Sequence, residues 1–443
     1  CHSLVGSEMC IRDRCNIVDL FFNHRNGKIL FFPVGLISLW ILYALVSTKQ
    51  NKILEHDSKL LQTILNQVDK KYADIINDPN KYKFQLMYTQ INRDKNNHPE
   101  FISHSFGVKP EKYFYPASTI KLQVAALALE KLNQTPSIDK DTYLKIKAGF
   151  GSLEGVTVDN TAKKGLPTIG HYLHKLFVVS DNDAFNRLYE YLGPDHINSR
   201  MWELGFPKTR IRHRLSLSLT EEENQYANAI QFYNDSGIIF EQSSREMRLD
   251  LDSPFEDFLL GDSHKVKGEE VEEPMDFSKK NFMSIPDQHK FLIQLIFPNQ
   301  NNSENQLSLS ELDQKFILSK MSMLPRHSTN PKYGAKYYDG YCKFFMFGDS
   351  KARIPDHIKI FNKVGLAYGF VLDNAYIIDQ KHGVEFFLTA VVYGNSNGVL
   401  NDNIYDYDNL TIPFLSVLGN AIYKYEKMRE KKHAPDLSFF EQM

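Results

Sequence analysis

The sequence predicts an α+β fold in which a helical lobe is inserted into one antiparallel sheet. Two observations carry this. Strand-like alternation occurs near both ends of the chain, and helical spacing fills the middle and both flanks. Strands so far apart in sequence pair only if the intervening helices form a lobe. Two early and three late runs then make a five-stranded sheet covered by terminal helices.

Element by element, Leu54 to Ile76 carries Leu60, Leu61, Ile64, Leu65, Val68, Ala73 and Ile76 at helical spacing. Lys83 to Asn92 and Glu100 to Val108 alternate like an antiparallel strand pair. Thr119 to Leu132 and Ile169 to Val179 return to a helical pattern, and Asp183 to Leu192 closes at Gly193, a suitable C-cap residue. Thr209 to Asn281 is polar and contains the acidic run Gly268 to Glu273, which reads as a solvated insertion, not a metal site, within a lobe spanning 118–345. Helical signals resume over Pro286 to Ile296 and Ser310 to Leu324. The late strands are Ile358 to Val364, Gly369 to Asp379 and Gly383 to Tyr393, and Ile404 to Lys431 ends the chain as helix. No repeat or low-complexity tract interrupts the order.

Composition narrows the function classes. With 42% hydrophobic and 24% charged residues, the 443-residue chain has the make-up of a folded globular protein. Its 52 basic and 54 acidic residues give a net charge of −2 and no basic stripe, which argues against a nucleic-acid partner. The four cysteines are too few for a disulfide framework, and Cys342, alone in the body, reads as a small buried hydrophobe. The opening CHSLVGSEMCIRDR resembles translated adapter sequence, so residues 1–15 are set aside from the fold. Residues 16–53 read as a signal peptide or membrane anchor. Ile29 to Ser47 is a run of nineteen uncharged residues behind Arg25 and Lys28, and at about 1.5 Å per residue it nearly spans a bilayer core of roughly 30 Å. Ala44-Leu45-Val46 is a poor cleavage site, which favours an uncleaved anchor over a removed signal. The body, 54–443, is therefore expected outside the cytoplasmic membrane, in the periplasm, as a monomer held to the inner membrane by 29–47.

Three short motifs carry chemistry. In Ser118-Thr119-Ile120-Lys121, an S-x-x-K, a serine opening the helix has Lys121 one turn on and on the same face. The helix N-terminus favours the negative charge of an alkoxide or oxyanion, and a lysine among apolar neighbours loses basicity until it can take the serine proton. Ser137 to Lys140 has the same spacing but no apolar helix after it. Ser180-Asp181-Asn182 reads either as a helix N-cap or as a proton relay (Ser180) with a substrate donor (Asn182). Lys363-Val364-Gly365 ends a strand-like run, and its glycine would let a substrate lie against the strand edge. Lys163-Lys164-Gly165 fits the same pattern in a poorer context.

In this order, S-x-x-K, S-D-N and K-x-G resemble the signature set of class A β-lactamases and penicillin-binding proteins. The contexts YPASTIKLQVAALALEKL, VVSDNDAFNRLYEYLG and NKVGLAYGFVLDNAYIID are similar to that family's nucleophile helix, S-D-N segment and K-T-G hairpin. The resemblance implies a β-lactamase/transpeptidase-like fold, an α/β sandwich with a helical lobe and the site between them. It implies Ser118 as nucleophile, Lys121 or a water as base, and Ser180 and Lys363 in proton transfer and anchoring. Asn182 and Gly365 would contact substrate, and the oxyanion hole would be the N–H groups of Ser118 and Leu366. Neither a cofactor nor a metal is implied.

The chain departs from that pattern in three places. Val364 replaces the family's Thr or Ser and has no hydroxyl for a substrate carboxylate. The E-x-x-L-N segment that activates the deacylating water is missing, and a basic run, Thr209 to Leu215, stands in its place, with Glu221, Glu222 and Glu223 beyond it. No distal arginine is recognisable. The implied activity is attack on an amide or ester, β-lactam included, through an acyl-enzyme. The alternatives are a cell-envelope binding or sensing protein that does not turn over, and a cell-wall peptidase. His171 and His174 form an H-x-x-H without an evident third ligand, and Asp406 and Asp408 resemble a calcium loop only superficially.

Overall fold

The computed structural model describes residues 57–298, 306–441 and 443. Both the opening fifteen residues and the apolar run 29–47 lie outside the described residues. Among the described residues no helix is long and apolar enough to cross a membrane.

The first helical stretch does not run unbroken. Helix α1, Lys59–Leu65, stops at Asn66, and Asp69 then caps a 3₁₀ turn by accepting from the Lys71 N–H at 3.0 Å, before a short helix Ala73–Asn77. Asn and Asp offer the backbone these local alternatives, which apolar spacing alone does not reveal. Next come β1, Gln85–Arg93, and β2, Pro99–Phe106. The lobe follows with α2 (Lys121–Asn133), α3 (Ile169–Val178), α4 (Asn182–Leu192), α5 (Pro194–Glu203), α6 (Ile285–Ile296) and α7 (Glu311–Ser322). The chain re-enters the sheet as β3, Ile358–Ala367, β4, Phe370–Asp379, and β5, Val384–Tyr393, and closes on α8, Ile412–Met428.

The sheet order is β3-β4-β5-β1-β2, antiparallel throughout, so the late hairpins complete a sheet begun by the early one. Side chains alternate between two cores. Ile91, Phe361, Tyr376 and Phe387 face the lobe, where they join α2, α4 and α6. Leu86, Tyr88, Ile377 and Leu388 face α1 and Phe414, Leu415, Leu418 and Ile422 of α8. Each such side chain contributes about 1.5–3 kcal/mol on burial. Every residue of β4 is buried, which is why that strand reads as a nearly continuous apolar run.

α2 is buried on all sides. Even its Glu130 is only 1% exposed, and it is held by the Arg200 guanidinium at 2.9 and 3.0 Å. The α2 axis is therefore fixed by the core around it, and with it the turn at its N-terminus. Between 209 and 281, short strands pair locally, Ile230–Asn234 with Gly237–Gln242 and with Tyr143–Ile146. The start of that segment is interior: Thr209, Ile211 and Arg214 are buried.

Candidate active site

Ser118 sits in the 3₁₀ turn Ala117–Ile120 that feeds into α2. Thr119 Oγ1 donates to the Pro116 carbonyl at 2.6 Å and tightens the turn. In a 3₁₀ turn residues i and i+3 eclipse, which lines Ser118 up with Lys121. Ala117 has a φ of 47°, a conformation that costs an alanine about 1–3 kcal/mol. β3 passes directly beneath: a Cβ on Gly365 would lie 2.8 Å from the Pro116 carbonyl oxygen and 3.2 Å from the Ser118 nitrogen. Only glycine allows the strand this close.

Lys121 is fully buried. Its Nζ donates to the Ser180 carbonyl at 2.6 Å and to Asn182 Oδ1 at 2.7 Å, with Ser180 Oγ at 3.3 Å. Lys363 Nζ reaches the same Ser180 Oγ at 2.8 Å and the Val364 carbonyl at 3.0 Å. Burial first, and the Lys363 charge second, push the Lys121 pKa well below its usual value. Burial likewise brings Lys363 down to about 8. A neutral lysine has two N–H donors and one lone pair. The two short bonds from Lys121 use both donors and leave the lone pair free to take a proton. Ser180, with a φ of 58°, is held between the two amines by a backbone conformation unusual for serine. Among the described residues no hydrogen bond joins Ser118 Oγ to Lys121. Such contacts are commonly long in unliganded sites and tighten when substrate binds.

The structure thus brings Ser118, Lys121, Ser180, Asn182, Lys363 and Gly365 to one place. Leu366, 39% exposed, lies on the rim. The cleft above Ser118, about 360 Å³, is walled by Tyr115, Asn182, Leu215, Ser216, Leu366, Tyr368, Asn401, Asn403, Tyr405 and Tyr407. No carboxylate and no arginine is among the described residues that line it. A larger concavity of about 520 Å³ at the far end of β3, beside His327 and Asp356, contains none of these groups.

Val364, buried to 4% exposure, packs into the core on the α8 side, so its methyl groups supply packing. Arg210 pairs with Asp252, and Arg214 pairs with the buried Glu190. The basic run is therefore a structural clamp turned into the lobe. Asn186 holds Leu215 at both its N–H (2.8 Å) and its carbonyl (2.9 Å), which sets the next residue, Ser216, against the cleft. Ser216 Oγ accepts from Asn182 Nδ2 at 2.7 Å. Sequence reasoning missed this residue, because its place depends on an asparagine clamp and a φ of 55°. Glu223 is a surface capping residue that accepts from Ser152 at 2.6 and 2.8 Å, and Glu221 pairs with Lys279. His171 contacts Thr161 and Asp159, and His174 binds Ser328, so the two rings do not share a ligand position.

Among solved structures, a β-lactamase from Burkholderia ambifaria is 12% identical, covering 81% of this chain and 100% of that one, with a TM-score of 0.46. β-Lactamases from Xanthomonas campestris (15% identity, 82% and 97% covered) and Desulfarculus baarsii (12%, 82% and 97%) both give TM-scores of 0.45. No curated protein sequence matches the chain. The model of the beta-lactamase enzyme family matches residues 67–309, a stretch that includes Ser118, Lys121, Ser180 and Asn182 and stops short of Lys363. That match spans more than half of the 443 residues, and the chain belongs to the beta-lactamase enzyme family.

Proposed function

We propose that this protein is an exported serine hydrolase that opens a cyclic amide, a β-lactam, through an acyl-enzyme on Ser118. The observation that carries the reading is the Ser180 hydroxyl held between two buried lysines of lowered basicity, beside a serine at the floor of a cleft. Ser118 Oγ adds to the carbonyl carbon as its proton passes to the Lys121 lone pair. The oxyanion is taken up by the N–H groups of Ser118 and Leu366, each such donor contributing about 2.7–4 kcal/mol. The C–N bond then breaks. The proton moves from Lys121 through Ser180 Oγ to the leaving nitrogen, and Lys363 holds the relay in place. Such proton transfer contributes about 10²–10⁴-fold.

A second reading is favoured at the next step. Hydrolysis of the ester needs a base that meets water in the cleft; Lys121 is fully buried and not part of the lining, and the cleft offers Ser216 where a carboxylate would serve. A hydroxyl with an ordinary pKa is a poor base at neutral pH. The protein is therefore proposed to acylate readily and release slowly, the behaviour of a β-lactam trap or sensor at the cell envelope. Stopped-flow mixing with a chromogenic cephalosporin tests both. The expected trace is a burst of one equivalent followed by slow turnover, with no burst in Ser118→Ala. A burst that survives in Ser118→Ala contradicts the nucleophile, and fast linear turnover without a burst contradicts the trap.

A further inference from the structure

A second cluster lies far from the cleft. His357 immediately precedes β3, Asp379 ends β4, and His382 sits in the turn before β5. Eight residues of strand, roughly 26 Å at 3.3 Å each, separate His357 from Gly365. The antiparallel register sets Ile358 opposite Asp379, which brings the three side chains to the same sheet end. His357 Nδ1 lies 2.9 Å from Asp379 Oδ1, and His382 Nδ1 lies 2.7 Å from Asp379 Oδ2. The three ligand atoms fall within 4.8 Å of one another.

We infer that His357, Asp379 and His382 form a binding site for a divalent transition-metal ion of the zinc class. Two imidazoles and one carboxylate are a ligand set that suits zinc, with further positions left for water. Asp379 is wholly buried while the histidine side chains are 34% and 31% exposed, so the carboxylate forms a fixed floor and the rings a reachable rim. The carboxylate is oriented from behind: Tyr423 of α8 donates to Oδ2 at 2.5 Å, and the His382 N–H donates to Oδ1 at 3.1 Å. Outer hydrogen bonds of this kind are what hold a metal-binding carboxylate in one pose. Each ring now directs Nδ1 at Asp379. Binding requires only that the proton move from Nδ1 to Nε2, leaving the Nδ1 lone pair for the metal. A bound ion would tie the start of β3 and the β4–β5 turn to α8, a structural role separate from Ser118 chemistry.

Zn²⁺ titration of the full chain by calorimetry, with the unfolding temperature followed in parallel, tests the inference. Other histidines and cysteines add background, so the readout is the difference between wild type and His357→Gln/His382→Gln. The wild type is expected to bind one more equivalent and to gain thermal stability from Zn²⁺ that the variant does not. Tyr423→Phe keeps all three ligands and is expected to weaken that equivalent about 10–100-fold. Equal stoichiometry in wild type and double variant overturns the inference. Should the double variant fail to fold, Tyr423→Phe decides, and an unchanged Zn²⁺ affinity overturns it.

Discussion

In the proposed mechanism two amines around one hydroxyl set the chemistry, and their protonation sets its pH range. Lys121 would act only when neutral, and burial first, with the Lys363 charge second, holds its pKa low. Acylation should therefore fall on the acid side as Lys121 gains a proton, and on the alkaline side as Lys363, which anchors the Ser180 relay, loses its charge near 8. Lys363→Met removes a like charge beside Lys121. The Lys121 pKa then rises, so the acid limb of the acylation rate should move to higher pH and the alkaline limb should vanish. A pH–rate profile of both proteins measures this. The same lysine burdens the fold. Its folded pKa of about 8 lies below the 10.5 of the unfolded chain, so its desolvation cost is fully present below pH 8 and fades between 8 and 10.5. At pH 7, Lys363→Met should accordingly stabilise the fold by about 1–3 kcal/mol in a denaturant titration while acylation slows.

At the scale of elements, two close approaches make the site. The first is β3 under the nucleophile turn. Gly365→Ala would drive a methyl group into the Pro116 carbonyl and push the edge strand, with its Leu366 N–H, off Ser118. Acylation should drop about 10²–10³-fold, the usual effect of losing an oxyanion donor, in a protein that still unfolds cooperatively. The second is the segment that Asn186 clamps against the cleft. Ser216→Glu places a carboxylate beside Asn182, in the cleft that Ser118 also lines. Its acyl-enzyme should decay about 10²-fold faster than the wild type's, read as the recovery of free protein after a brief pulse of β-lactam. An unchanged lifetime would show that a base at 216 is not what deacylation lacks.

Across the whole molecule, the sheet is stitched from chain segments more than 250 residues apart, and Arg93 and Glu385 pin β1 to β5 at 2.6 and 2.7 Å, both buried. Arg93→Met leaves Glu385 charged in the core with Tyr376 as its remaining donor among the described residues. It should cost about 3–5 kcal/mol in the same titration. The sheet, its terminal helices and the inserted lobe were legible because they are written in hydrophobic period. β1, β2 and the three late strands alternate or run apolar, and α2 is apolar through its middle, from Val124 to Leu129. Ser118, Lys121, Ser180 and Lys363 stood out through the order and local context of three short motifs, one opening an apolar helix, one at a helix start and one within a strand that continues to Ala367. The break after Asn66 was hidden by apolar spacing that continues past an Asp cap. Ser216 and the His357–Asp379–His382 cluster were hidden for another reason: side-chain clamps and strand register create them, and neither leaves a local pattern.

In the proposed mechanism Ser118 Oγ becomes the acylated atom, with Lys121 as its base. This assignment is tested most directly by intact-mass spectrometry of the protein after exposure to benzylpenicillin, with peptide mapping of wild type, Ser118→Ala and Lys121→Ala. One penicilloyl group on the peptide containing Ser118, gone in Ser118→Ala and formed at least ~10²-fold more slowly in Lys121→Ala, is the predicted result. An adduct elsewhere, or none in the wild type under conditions where the protein is folded, would contradict it.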